Sequence, residues 1–160
     1  MTGMTEIKQS CVNTIREECQ DKTCAVVGIS GGVNSAVTAA LCVEALGQDR
    51  VFGILMPNCV QKNLDLAMLT VTSLGIAHEI INIMEVMKGY RLALPFQQSD
   101  YTCRELSHQV RLSVLKAVGE QRHGCVVRPD LLGVSSEVMP LLGTSCGLPD
   151  LLLHTRREKY

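Results

Sequence analysis

The chain has 160 residues, 46% hydrophobic but only 3% aromatic with no tryptophan, and a formal net charge of −1. That length suits one domain able to bury a core of aliphatic side chains without staples. The near-zero charge gives no electrostatic footprint for nucleic acid or an anionic membrane surface, and no apolar run approaches the roughly 20 residues needed to span a bilayer. The polar, mixed-charge stretch from Met1 to Glu18 does not read as a secretory signal, so a cytoplasmic protein is expected.

The first predicted element is an amphipathic helix over 4–21, whose stripe is Ile7, Cys11, Ile15 and Cys19. Cys24 to Ile29 is short and continuously apolar, the signature of a strand covered on both faces. A helix follows from Asn34 to Leu46, with Gly47 as its stop, and Val51 to Met56 is the second strand, closed by Pro57. Roughly 20 residues separate the two strands, which suits a right-handed parallel crossover. Leu64, Ala67, Val71 and Leu74 mark the next helix, ended by Gly75, and His78 to Ile83 is a third strand. Met84 to Leu94 reads as a short helix, and 96–100 as a loop. Leu106, Val110, Val114, Ala117 and Val118 mark a long helix over about 102–122, before a fourth strand at Cys125-Val-Val127. The regular α/β core therefore covers 24–127. In 128–160, Pro129, Pro140 and Pro149 break three short apolar runs, each of which fits a strand end or a helix fragment.

This alternation predicts a doubly wound, Rossmann-like parallel sheet of about four strands in the order 3-2-1-4, with helices on both faces. A ligand then binds beyond the carboxyl ends of the strands, at the switch between strands one and four. Gly28-Ile29-Ser30-Gly31-Gly32-Val33-Asn34-Ser35 falls at that point, between strand and helix. Glycine N–H groups, the helix N-terminus and the hydroxyls of Ser30 and Ser35 make it a polyphosphate cradle. Two plainer readings compete: a tight turn with Ser30 as a helix cap, and Asn34 as a cap. The segment has neither a Walker A lysine nor the Gly-x-Gly start of a dinucleotide fingerprint.

The eight cysteines include no Cys-x-x-Cys pair, which disfavours a zinc site, and a disulfide framework is disfavoured in a chain this long and regular. Cys24, Cys42 and Cys125 lie in apolar runs as small core side chains. The four histidines are scattered, so no nucleophilic triad can be assembled.

Ser30-Gly-Gly-Val-Asn-Ser35 resembles the Ser-Gly-Gly-x-Asp-Ser loop of the N-type ATP pyrophosphatases (the PP-loop family). Its flanks, Val26 to Gly47 and Arg50 to Pro57, resemble NAD synthetases more than the tRNA-thiolating or argininosuccinate-forming members. The resemblance is specific from Cys24 to Ile83, weaker to Arg122 and close to absent beyond. It implies a single PP-loop domain over 1–160, of the adenine nucleotide alpha-hydrolase type. The implied activity is an ATP-dependent amide ligase: nicotinic acid adenine dinucleotide is adenylated, then amidated with ammonia to give NAD, AMP and pyrophosphate. The implied ligands are ATP, Mg2+ and small-molecule nucleotides, and the implied assembly is a homodimer.

Carried onto this chain, the resemblance places ATP on Gly28, Ile29, Ser30, Gly31, Gly32, Val33, Asn34 and Ser35, with adenine against the main chain of Met56. Ser107-His-Gln-Val-Arg-Leu-Ser113 resembles the family's Asn-x-x-Ala-Arg-x-Arg, so Arg111 is a substrate contact, with a solvated helix arginine as the alternative. Asn34 stands where the family has a magnesium-binding aspartate, a weaker ligand because it brings no charge. Leu131-Leu-Gly-Val-Ser-Ser-Glu137 stands for the family's Gly-Thr-x-Asn-Lys-x-Glu; it has no lysine, and Glu137 is taken as the second metal ligand. These departures keep a second function open: a nucleotide-binding module or partner subunit that retains the loop without the chemistry.

Overall fold

The computed structural model describes residues 3–58 and 63–154, so Cys59 lies outside the described residues. In chain order the elements are α1 (Met4–Glu18), β1 (Ala25–Gly28), α2 (Val33–Leu46), β2 (Val51–Leu55), α3 (Leu64–Leu74), β3 (Ala77–Ile80), α4 (Met84–Ala93), α5 (Asp100–Gln121), β4 (Cys125–Val126), α6 (Met139–Ser145) and α7 (Asp150–Leu153). The four strands form one sheet in the order β3-β2-β1-β4, parallel throughout, as the crossover lengths predict. Ala25 is paired with both Val51 and Cys125, which makes β1 an interior strand of the sheet.

Strand period two divides the core. Ala25, Val27, Ile29, Val51 and Leu55 face α1, α2, α3 and the tail helices. Val26, Phe52, Ile54 and Met56 face α4 and α5, where Met87, Leu115 and Val118 close over them. α2 is apolar nearly all round because it packs against β1, α1 and α6 at once. Ser99 caps α5 by accepting from the Thr102 N–H at 3.2 Å. Gly47 and Gly75 end α2 and α3 at positive φ, 85° and 63°, as their positions in the sequence predict.

Two expectations change, and the open reading of the tail is decided in favour of helix. The first helix stops at Glu18 with Cys19 as its C-cap, short of residue 21. The third strand is Ala77–Ile80 rather than 78–83, and all four of its residues are exposed, so no apolar run marks its limits. His78 sits within that strand. The proline-broken tail becomes a 3-10 turn, Pro129–Leu132, followed by α6 and α7. Its leucines fold back onto α2: Leu142 and Leu152 are fully buried, and a Cβ on Gly143 would lie 2.9 Å from Val37 Cγ2 and 2.3 Å from Leu153 Cδ2. Lys8 ties this layer together, its Nζ donating to the Ser145 carbonyl at 2.9 Å and pairing with Glu44 at 2.7 Å. No helix among the described residues is long and apolar enough to cross a membrane.

Candidate functional site

A crevice of about 760 Å³ opens where β1 and β4 end. The β1–α2 loop forms its floor, α5 one wall, and the segment from Val127 to Met139 the other. Of the residues read from the sequence, Gly28, Ile29, Ser30, Asn34, Ser35, Met56 and Arg111 line it. Gly31, Gly32, Val33 and Glu137 are not part of that lining.

The loop's shape is set by two hydroxyls. Ser35 Oγ accepts from the Ser30 N–H at 3.1 Å, donates to the Gly32 carbonyl at 3.0 Å and lies 3.1 Å from Ser30 Oγ. Ser30 Oγ accepts from the Gly32 N–H at 3.2 Å, a tight side-chain turn. Two loop N–H groups are thus engaged internally, and the donors open to an anion are the first N–H groups of α2, which have no intrahelical acceptor. Gly31 has φ +87°, and a Cβ there would fall 2.3 Å from the Asn63 carbonyl oxygen. Its bareness makes room for the start of α3. Gly32, at φ −85°, is less confined: a Cβ there would meet nothing nearer than Ser30 Oγ at 3.4 Å.

The capping alternatives fail. The N-cap of α2 is Gly32, and no side chain caps it. Asn34 lies inside the first turn, and its Oδ1 is buried with no hydrogen-bond partner. A buried acceptor left without a partner costs roughly 1–3 kcal/mol.

Arg111 is neither solvated nor free. Its Nε donates to the Met56 carbonyl at 3.1 Å, and its Nη1 donates to the buried Ser107 hydroxyl. Burial lowers the guanidinium pKa from its ordinary value. The main chain of Met56, expected to meet adenine, is therefore fastened to α5 by the residue expected to meet the second substrate. His108 also lines the crevice, three residues before Arg111 on the same helix face; helical spacing from Arg111 would have found it.

The far wall reads differently from the sequence assignment. Val134, Ser136 and Met139 line it, Met139 only 1% exposed, while Glu137 is exposed and outside the lining. The register explains this. In the pattern Gly-Thr-x-Asn-Lys-x-Glu the glutamate comes six residues after the glycine, and six after Gly133 is Met139. Glu137 occupies the lysine position. Arg128 and Asp130, an ion pair that the sequence reading missed, complete the wall. Among the described residues no group of three His, Cys, Asp or Glu side chains is gathered as a metal site. Mg2+ prefers carboxylate and phosphate oxygen in an octahedron, and the described residues here do not fit it: one neutral amide oxygen, one carboxylate already paired with Arg128, and a Val134–Met139 segment that offers only the neutral Ser136 hydroxyl.

A family profile described as NAD synthase matches residues 5–134, further toward both ends than the loop motif and its flanks reach. The NH(3)-dependent NAD(+) synthetase of Methanocaldococcus jannaschii is 40% identical over 92 residues, covering 55% of this chain and 36% of that protein. That of Thermococcus sibiricus is 28% identical over 118 residues, covering 72% and 46%. The chain thus spans less than half the length of these curated relatives. Among solved structures, the NH3-dependent NAD synthetase from Campylobacter jejuni superposes with a TM-score of 0.84 at 20% identity, covering 94% of this chain and 76% of that one. The glutamine-dependent NAD+ synthetase from Acinetobacter baumannii, solved with ADP, gives 0.86 at 18% identity, covering all of this chain (100%) and 38% of that one. At such identities the structural likeness establishes the fold, and its coverage includes the helical tail.

Proposed function

Because the chain belongs to the NAD synthase family, we propose that its crevice holds ATP, in the place where NAD-synthetase-type amide ligation begins. The supporting observation is the serine-shaped loop at the end of β1, which aims the first turn of α2 into a crevice also lined by Arg111. Phosphate oxygens accept from the free N–H groups of that turn and from the guanidinium. The adenine edge lies against the end of β2, held in position by the Arg111–Met56 hydrogen bond. In the full reaction of this type the carboxylate of nicotinic acid adenine dinucleotide attacks the α-phosphorus, pyrophosphate leaves, and ammonia then displaces AMP.

A second reading, nucleotide binding with little turnover, is favoured by the chemistry of the far wall. Leaving-group charge at the pyrophosphate needs a lysine or metal to stabilise it, and loss of one such group costs about 10²–10³-fold. Here Val134, Ser136 and Met139 face the crevice, and no lysine is among its described lining residues. We therefore propose that this chain alone binds ATP and forms little NAD.

Calorimetric titration with ATP tests the common part, and absence of binding rejects both readings. An NAD-formation assay separates them: turnover of about 1 s⁻¹ or faster supports the ligase and rejects the binding module. Exposed Val86, Leu92, Phe96 and Tyr101, on α4, the α4–α5 loop and the start of α5, support a homodimer. Sedimentation equilibrium showing only monomer would reject that assembly.

A further inference from the structure

We infer that this crevice holds a nucleotide's phosphates without a divalent cation, guanidinium and amide N–H groups taking the metal's place; the inference rests on the nucleotide reading above. Three observations carry it. The first is the charge of the lining. Arg111 and Arg128 face one carboxylate, Asp130, and that carboxylate is paired with Arg128. The described lining is therefore net cationic with no metal added.

The second is donor capacity. A guanidinium has five N–H groups, and Arg111 uses one on Met56 and one on Ser107, leaving about three for an anion. Arg111 is fixed by those two bonds, so its remaining donors need no reorganisation to meet phosphate.

The third is Asn34. Its carboxamide has a buried oxygen without a partner. With that oxygen screened from solvent, the end of the carboxamide left for the crevice is the NH2 group, a donor. That NH2 group donates to a phosphate oxygen. An aspartate in this position has no N–H to offer and would meet phosphate as one anion meets another, unless a cation lay between them. Met139 and Val134 supply no oxygen ligand, and Ser136 between them supplies only a neutral hydroxyl. The amide at Asn34 and a far wall whose one carboxylate is already paired thus belong together, as two parts of a site that recognises a metal-free nucleoside polyphosphate.

The experiment is calorimetric titration of the whole chain with ATP and with ADP, each in chelator and in excess magnesium, for the unaltered protein and for Asn34→Asp. The unaltered protein is expected to bind both nucleotides in chelator at least as tightly as with magnesium. Asn34→Asp is expected to lose about tenfold in chelator and to recover with magnesium. If magnesium tightens binding to the unaltered protein by about tenfold or more, the inference is overturned while the nucleotide reading stands. An equal loss for Asn34→Asp in both media overturns the placement of Asn34 against phosphate. No binding by the unaltered protein in either medium overturns the nucleotide reading and the inference with it. The comparison of media on the unaltered protein needs no variant, so a misfolded Asn34→Asp would not shield the inference.

Discussion

Ser35→Ala removes one oxygen and, with it, the frame of the β1–α2 loop. The hydroxyl makes three contacts: with the Ser30 N–H at 3.1 Å, the Ser30 hydroxyl at 3.1 Å and the Gly32 carbonyl at 3.0 Å. The side chain is only 7% exposed, so water replaces these contacts poorly. Each ordinary hydrogen bond contributes about 1 kcal/mol net, and a stranded donor costs roughly 1–3 kcal/mol. Alanine's better helix propensity returns about 0.5 kcal/mol. The expected loss is therefore about 2 kcal/mol, which in a domain of this size lowers Tm by roughly 4–8 °C. Scanning calorimetry measures it, and titration with ATP on the same samples should show an affinity drop of about tenfold, since a loosened Ser30 turn no longer fixes the crevice floor. A Tm within about 1 °C of the parent, with unchanged ATP affinity, would refute the claim that Ser35 shapes the loop.

Gly31→Ala should cost at least about 2 kcal/mol in urea denaturation, because it combines positive φ with a clash against Asn63, while Gly32→Ala should stay within about 0.5 kcal/mol. Equal effects at the two positions would mean that Asn63 does not press on the loop. Arg111→Lys should not restore what Arg111→Met loses in ATP affinity, because an ammonium cannot bond Met56 and Ser107 and still offer a fork to phosphate; full rescue by lysine would show that charge alone matters. Burial pushes the Cys19 thiol up from 9.0 to about 12, with Cys125 beside it adding to the shift. The neutral thiol is the form favoured by folding, so its contribution is complete below pH 9 and fades as pH rises toward 12. Denaturation midpoints should therefore fall above pH 9, and less steeply in Cys19→Ala; parallel profiles would remove Cys19 from the cause.

The sheet and its helices are readable in the sequence because each is encoded locally. β1 and β2 are continuous apolar runs, α2 and α3 end at glycines, and the crossover length leaves few topologies to choose from. β3 is legible only in outline, since its four residues are all exposed at the sheet edge and carry no burial pattern. The tail is harder still. Its prolines start short helices at Pro129, Pro140 and Pro149, and what fixes those helices is the surface of α2, more than a hundred residues before α7 in the chain. The same split runs through the site. The loop residues are contiguous and so legible as a motif, whereas the far wall depends on a register in the tail that only packing decides. Met139 rather than Glu137 faces the crevice because the α6 turn buries it. Arg111 lies at the crevice as its helix motif implies, but its bond to Met56 joins positions 55 residues apart and has no signature in either segment.

The two walls of the crevice ride on opposite layers of the molecule: α5 belongs to one face of the sheet, and α6 is packed through α2 onto the other. The opening between them therefore works like the jaw of a wrench whose handles are the two helical layers. Its gap is set where each layer seats, well away from the loop. On one side the seat is Gly119, where a Cβ would approach Val126 Cγ2 at 3.0 Å; on the other it is Gly143, wedged between Val37 and Leu153. Added bulk at Gly119 must shift Val126, and at Gly143 must displace Leu153 or Val37, while every residue of the loop stays unchanged. The seating of the two walls therefore depends on positions that do not line the crevice.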